Sequence, residues 1–150
     1  MSGADSQTTR ISNMTEPFDT KVAIVLLDDL AVWQKVNAAA FLISGIAAAG
    51  LVGEPYVDGS GNRYLPMLRQ PIVVYAADAA GIRRAYDRAM TREVEQLSIF
   101  TRDLFSTPHD AANRAAVAAV QAEELDLVGI AVRAERRTVD KVLDKLRPHQ

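Results

Sequence analysis

The stretch KVAIVLL, residues 21–27, runs straight into Asp28 and Asp29 and then into AVWQKVNAAAFLISGIAAAG, residues 31–50. After its lysine the first segment is continuously apolar and rich in β-branched residues, the mark of a strand buried on both faces. Asp29 offers a side-chain cap for a helix from about Leu30 to Ala49, and Gly50 suits its end. Val32, Val36, Ala39, Ala40, Ile43, Ile46 and Ala47 recur at helical spacing and predict the buried face. The many alanines let such a helix lie close to a sheet or to another subunit.

The same alternation continues along the chain. PIVVYA, residues 71–76, predicts a second strand, with Asp78 capping a helix from Ala79 to Glu93 that buries Ile82, Ala85, Tyr86, Ala89 and Met90. LSIFT, residues 97–101, predicts a third strand. Thr107-Pro108-His109-Asp110 reads as a helix start, with Thr107 as cap and Pro108 at the first position, the helix running to about Val120. LDLVGIAV, residues 125–132, predicts a fourth strand, and Val139, Val142, Leu143 and Leu146 share one face of a last helix from Glu135 to Leu146. PYVDGSGNRYLPML, residues 55–68, reads as a hairpin or long loop around Asp58-Gly59-Ser60-Gly61. Strands alternating with helices predict an α/β domain over residues 19–150, with helices on both faces of the sheet and the first three strands mainly parallel. Residues 1–18 have no periodicity and are expected to be a disordered tail.

Composition narrows the chemistry. A chain of 150 residues fits one domain, and 49% apolar with 24% charged residues is a globular balance. The absence of cysteine removes disulfides, thiolate nucleophiles and Cys-ligated metal centres. A formal net charge of -2 argues against nucleic-acid binding through bulk electrostatics. Met1 to Thr20 lacks the apolar core of a secretory signal, and Ala31 to Leu51 carries Gln34, Lys35 and Asn37, so a core helix is expected rather than a membrane span. The expected setting is the cytoplasm, with no membrane partner.

Ligands of open α/β sheets bind outside the carboxyl ends of the strands. Here those ends carry Asp28, Asp29, Asp78 and Asp103, with Lys35 following in the first helix. Converging carboxylates and a lysine suit general acid–base work or a metal. Capping is the ordinary explanation of Asp29 and Asp78, whereas Asp103 starts no evident helix. Capping also accounts for Thr107 and Asp110 better than a nucleophile–base pair does. His109 at a helix start suits a neutral hydrogen-bonding role, and Asn113 shares its face. Arg84, Arg88 and Arg92 stand at i, i+4, i+8 and could meet phosphate; with Asp87 and Glu93 nearby, a solvated face is the expectation. Gly59-Ser60-Gly61 lacks the following helix and Lys-Ser/Thr of a phosphate loop, and no zinc motif occurs, so no metal and no cofactor are expected.

Four segments carry a family resemblance: KVAIVLLDDLAVWQKVNAAAFL (21–42), GNRYLPMLRQPIVVYAAD (61–78), IFTRDLFSTPHDAANRAAV (99–117) and DLVGIAVRAERRTVDKVLDKL (126–146). On these the chain resembles a bacterial family of uncharacterised proteins related to peptidyl-tRNA hydrolase II. The resemblance implies a three-layer α/β/α fold with a mixed four-stranded sheet and commonly a homodimer, to which an insertion at about 53–69 is added. It also implies Lys35 and Asp103 as catalytic residues, Lys35 polarising the substrate and Asp103 orienting water. Asp29, Thr107, His109 and Asn113 are then expected to bind substrate. The hydrolase pattern Lys-Val-Ala-Ala-Gln is replaced by Lys35-Val36-Asn37-Ala38-Ala39, and Asp-Ala-Gly-x-Thr by Asp103-Leu104-Phe105-Ser106-Thr107. Two functions follow as expectations: hydrolysis or transfer at an acyl or ester bond of an aminoacyl- or peptidyl-tRNA-like substrate, or non-catalytic binding of a small molecule by a homodimer.

Overall fold

The computed structural model describes residues 18–150, so the expected tail lies, but for Phe18, outside the described residues. Strand β1 (Thr20–Leu27) is central, and its six residues from Val22 onward are buried, as a continuous apolar run requires. It pairs parallel with β4 (Ile72–Ala77) and antiparallel with β6 (Leu127–Glu135). Beyond β6 lies β5 (Gln96–Thr101), antiparallel to it. Beyond β4 lies β7 (Arg147–Pro148), a two-residue antiparallel edge. The sheet therefore runs β5-β6-β1-β4-β7, with β1, β4 and β5 sharing one direction. It has five strands where four were expected. The expected last helix stops early: α4 spans Arg136–Val142, and the chain then turns back along β4.

The insertion is a hairpin of β2 (Tyr56–Val57) and β3 (Arg63–Tyr64). Asp58 organises its turn. Its carboxylate accepts from the Ser60 and Asn62 amides at 2.9 and 3.0 Å and from the Tyr64 hydroxyl at 2.8 Å. The Tyr64 bond, with those from Asn62, holds the Asp58 carboxyl down at about 2.

Three layers form because alternate residues of a strand face opposite ways. Helix α1 (Val32–Ala47) packs over β5, β6 and β1. A Cβ on Gly129 of β6 would meet Leu42 Cδ1 of α1 at 3.0 Å and Leu26 Cδ2 of β1 at 3.2 Å, so glycine there admits the helix. Helices α2 (Ala79–Thr91) and α4 pack on the other face. Lys21, of opposite parity to Leu26, reaches Asp140 of α4 at 2.8 Å and the Tyr75 hydroxyl at 3.3 Å. Burial works against the Lys21 charge, but the two hydrogen bonds outweigh it and raise its pKa. Asp78 caps α2 as expected, accepting from Gly81 N–H at 2.7 Å.

Several local readings need correction. Asp29 does not cap α1; the helix starts at Val32, and the N-cap position is Ala31, whose N–H is satisfied by Gln34 Oε1 at 3.0 Å. Asp29 is instead an exposed residue of the preceding bend. The buried row of α1 is Ala38, Leu42 and Ile46, whereas Val32 and Val36 are 78% and 65% exposed. Ile46 is buried and Ala39 and Ile43 pack against the core as expected, but apolar residues occur on nearly every side of this helix, so spacing alone also drew in Val32 and Val36 and passed over Ala38 and Leu42. Met90 is likewise exposed, while Ile82, Ala85, Tyr86 and Ala89 are buried as expected. Thr107 does not cap α3 (Asp110–Ala118); His109 does. The arginine stripe is not a uniform solvated face, since Arg88 donates to the carbonyls of Val142 and Asp144 at 3.5 and 2.9 Å and ties α2 to the end of α4.

Leu42→Ala should cost about 2–5 kcal/mol, a core truncation, while Val36→Ala should change stability by less than about 0.5 kcal/mol. Urea denaturation of the two variants checks this. The hairpin predicts a pH effect. Asp58 is held below the ordinary 3.8, so its support for the turn is complete above that value and is lost as pH falls through about 2. The amide resonances of Ser60 and Asn62 should shift together in that window, and Asp58→Ala should remove the transition.

Candidate functional site

Three connections meet the carboxyl ends of the parallel-running strands β1, β4 and β5, and α1 divides them. At about 100° per residue, Trp33, Asn37 and Phe41 lie along one flank of α1, while Lys35 lies some 200° from Trp33. The first flank faces β5. The second faces β4.

On the β5 flank, four aromatic rings pack in series. Trp33 meets Phe105 edge-on, with centroids 5.5 Å apart and planes at 70°. Phe105 lies 5.0 Å from Phe100 of β5, which lies 6.0 Å from Phe41. Such tilted and edge-on contacts fit the ring quadrupoles and fix the rings relative to one another. Phe105 ends a 3-10 turn, Arg102–Phe105, that leaves β5 and leads to α3. Between these rings and α3 is a cavity of about 370 Å³ whose polar lining includes Asn37, Thr107, His109 and Asn113.

Hydrogen bonding sets what that rim offers. His109 Nδ1 accepts from the Ala112 amide at 3.1 Å, so the ring proton of the neutral imidazole sits on Nε2 and is available to donate. Thr107 Oγ1 touches both the Leu104 carbonyl, at 3.1 Å, and Asn113 Oδ1. A hydroxyl carries a single proton, which these two acceptors share. Asn113 Oδ1 therefore faces Thr107, and its NH₂ is the group left to donate. Asp110 is engaged with Arg114 one turn on. The cavity thus combines aromatic walls with side-chain donors, without an unpaired charge on its rim.

The structure brings together Thr107, His109 and Asn113 of the expected residues. Asp103 sits exposed in the 3-10 turn, its carbonyl accepting from Ser106 N–H, and Asp29 is in the bend before α1. Neither lines this cavity. Lys35 is half-buried on the opposite flank, its Nζ 3.0 Å from His149 Nε2. An ammonium can only donate, so His149 Nε2 accepts and its proton lies on Nδ1, 2.8 Å from the Gln150 carbonyl. His149 is positioned by β7, its N–H donating to the Val74 carbonyl of β4 at 2.9 Å. Among the described residues, no group of three or more His, Asp or Glu converges as metal ligands.

Sequence reasoning missed the aromatic wall and His149. The row Trp33, Asn37, Phe41 at i, i+4, i+8 was a readable signal for the first. Nothing in the sequence signalled the second, which depends on two residues of β7 folding back beside β4.

The fold and its edge cavities define a three-layer α/β protein with a mixed five-stranded sheet. Residues 20–150 match the family described as a protein of unknown function (DUF2000), and the chain belongs to that family. A solved structure of a protein of unknown function from Agrobacterium tumefaciens strain C58 is 45% identical, with a TM-score of 0.86 over 89% of this chain and 100% of that one. No curated protein matches the chain.

Proposed function

We propose that this protein binds a planar, uncharged small molecule in the aromatic cavity between α1 and α3. The observation that carries the reading is the fixed series Trp33, Phe105, Phe100 and Phe41 beside a rim of neutral hydrogen-bonding groups. Aromatic walls favour a flat ring, and the few placed polar groups fix its orientation. His109 Nε2–H and the Asn113 NH₂ donate to acceptors on the ligand's edge. A flat ligand with two acceptors on one edge, such as a nucleobase or an aromatic amide, is the class that fits.

Trp33 is the chain's one tryptophan, so its fluorescence reports directly on the cavity. Titration with free nucleobases and aromatic amides should quench or shift Trp33 emission saturably. Asn113→Ala should weaken binding on the order of 10-fold, the cost of leaving a ligand acceptor unpaired. Unchanged emission across such a panel contradicts the reading.

A second reading is the acyl or ester hydrolase implied by the peptidyl-tRNA hydrolase II resemblance. Its supporting observation is that Lys35 and Asp103 both stand at the carboxyl edge of the sheet, on the elements that follow β1 and β5. Release of the peptide from a peptidyl-tRNA, abolished by Lys35→Met, is the result it requires.

The proposed working unit is a homodimer in the cytoplasm. α1 leaves β4 and β7 uncovered on its face of the sheet. Ile72, Val74 and Ala76 share that face with Leu26, and Ile72 is exposed. Beside them Val32 and Val36 are exposed, as are Leu65 (85%) and Met67 of the hairpin arm. Monomers rarely expose apolar patches beyond a few hundred Å², and a standard interface buries about 800 Å² per partner. A second copy of the same chain is the occupant we assign, because a two-fold axis lets each apolar arm cover the other's open sheet. Light scattering should give twice the mass of one chain, and Val36→Glu with Leu65→Glu should give the single mass. A wild-type monomer at micromolar concentration contradicts this assembly.

A further inference from the structure

A second cavity, of about 560 Å³, opens at the carboxyl edge of β1 and β4, between the first turn of α2 and β7. Arg84 of α2, Lys145 of the turn after α4 and Arg147 of β7 line it, and His149 joins Lys35 to its wall. Among the described residues none of these four cations forms an ion pair. Two side-chain carboxylates face them, Asp28 and Asp78, and Asp78 is already committed to the Gly81 amide. Four cations against one free side-chain carboxylate is a local excess in a chain whose net charge is -2.

Like charges drawn together without partners repel, and the repulsion is relieved when an anion enters. The donors here suit a tetrahedral oxyanion. Two guanidinium groups present paired N–H bonds to two oxygens at once, and two ammonium groups add point charge. His149 contributes as an acceptor. Its Nε2 accepts from Lys35 and holds that ammonium at the rim without adding a fifth cation. Asp28 supplies the opposite property, an acceptor for a hydroxyl. The other basic cleft, between α2 and α4, is differently committed: Arg88 is bound to carbonyls and Asp140 to Lys21.

We propose that this cavity binds the phosphate group of a small phosphate ester, with Arg84, Arg147, Lys145 and Lys35 around the phosphate and Asp28 accepting from a ligand hydroxyl. The proposal rests on charge and position at the β4 flank and is independent of the aromatic cavity.

The test is titration of the full-length protein with glycerol 1-phosphate, followed by amide NMR, with glycerol and citrate as controls. Saturable shifts at Gly81, Arg147 and His149, absent with glycerol and at least 10-fold weaker with citrate, are expected. Arg84→Gln combined with Arg147→Gln should weaken binding at least 10-fold, and Arg137→Gln in the other basic cleft should leave it unchanged. Both arginines of the pair are exposed, and the wild-type map stands even where a variant is unstable. Shifts confined to Arg92, Arg137 and Lys141, citrate binding as tightly as the ester, or no saturable shift at all would overturn the assignment.

Discussion

Adjacent strands lie about 4.8 Å apart, so five of them span roughly 19 Å between outer axes, while a helix with its side chains is about 10 Å across. One helix cannot roof such a sheet. Here α1 is the helix packed on this face of the sheet, and it lies over β5, β6 and β1. Its placement is set by Leu42 and Ile46, which are buried, and by Gly129, where a Cβ would press on Leu42 and Leu26. From that off-centre position follow the two crevices at its sides and the open apolar surface over β4.

The crevices differ chemically because they receive different elements. β5 leads into a 3-10 turn that swings Phe105 against Trp33, so the flank beside it is aromatic and its one carboxylate, Asp110, is paired with Arg114. The β4 flank receives the chain's return after α4, which carries Lys145, Arg147 and His149 alongside the ends of β1 and β4. The surface between them is α1 itself. Residues two apart on it, Trp33 and Lys35, therefore belong to different sites.

What could be read from the sequence divides along the same physical lines. The long strands were legible because Val22–Leu27 and Leu127–Val132 carry no polar side chain, which only a doubly covered strand tolerates. Asp78 was legible as a cap because one carboxylate beside one helix start has one geometric use. The face of α1 was not, since alanines and scattered large residues put apolar surface all round it, and only packing against Gly129 selects Leu42 over Val36. The cap of α3 moved from Thr107 to His109 because several residues near Pro108 can accept from an amide, and the competition is settled by where Leu104 and Asn113 hold Thr107. The partnership of Lys35 with His149 spans 114 positions and hangs on a two-residue strand. Composition and periodicity do not encode such a contact.

The separation of the two flanks can be measured through the two histidines, which the structure gives opposite tautomers. His109 accepts at Nδ1 from the Ala112 amide and carries its proton on Nε2; His149 accepts at Nε2 from Lys35 and carries its proton on Nδ1. Long-range ¹H–¹⁵N correlation spectra of the neutral rings, recorded for the wild type and for Lys35→Met, read both assignments. The account predicts opposite tautomers in the wild type and a change confined to His149 in the variant. The same tautomer in both rings, or a response of His109 to the loss of Lys35, would contradict it.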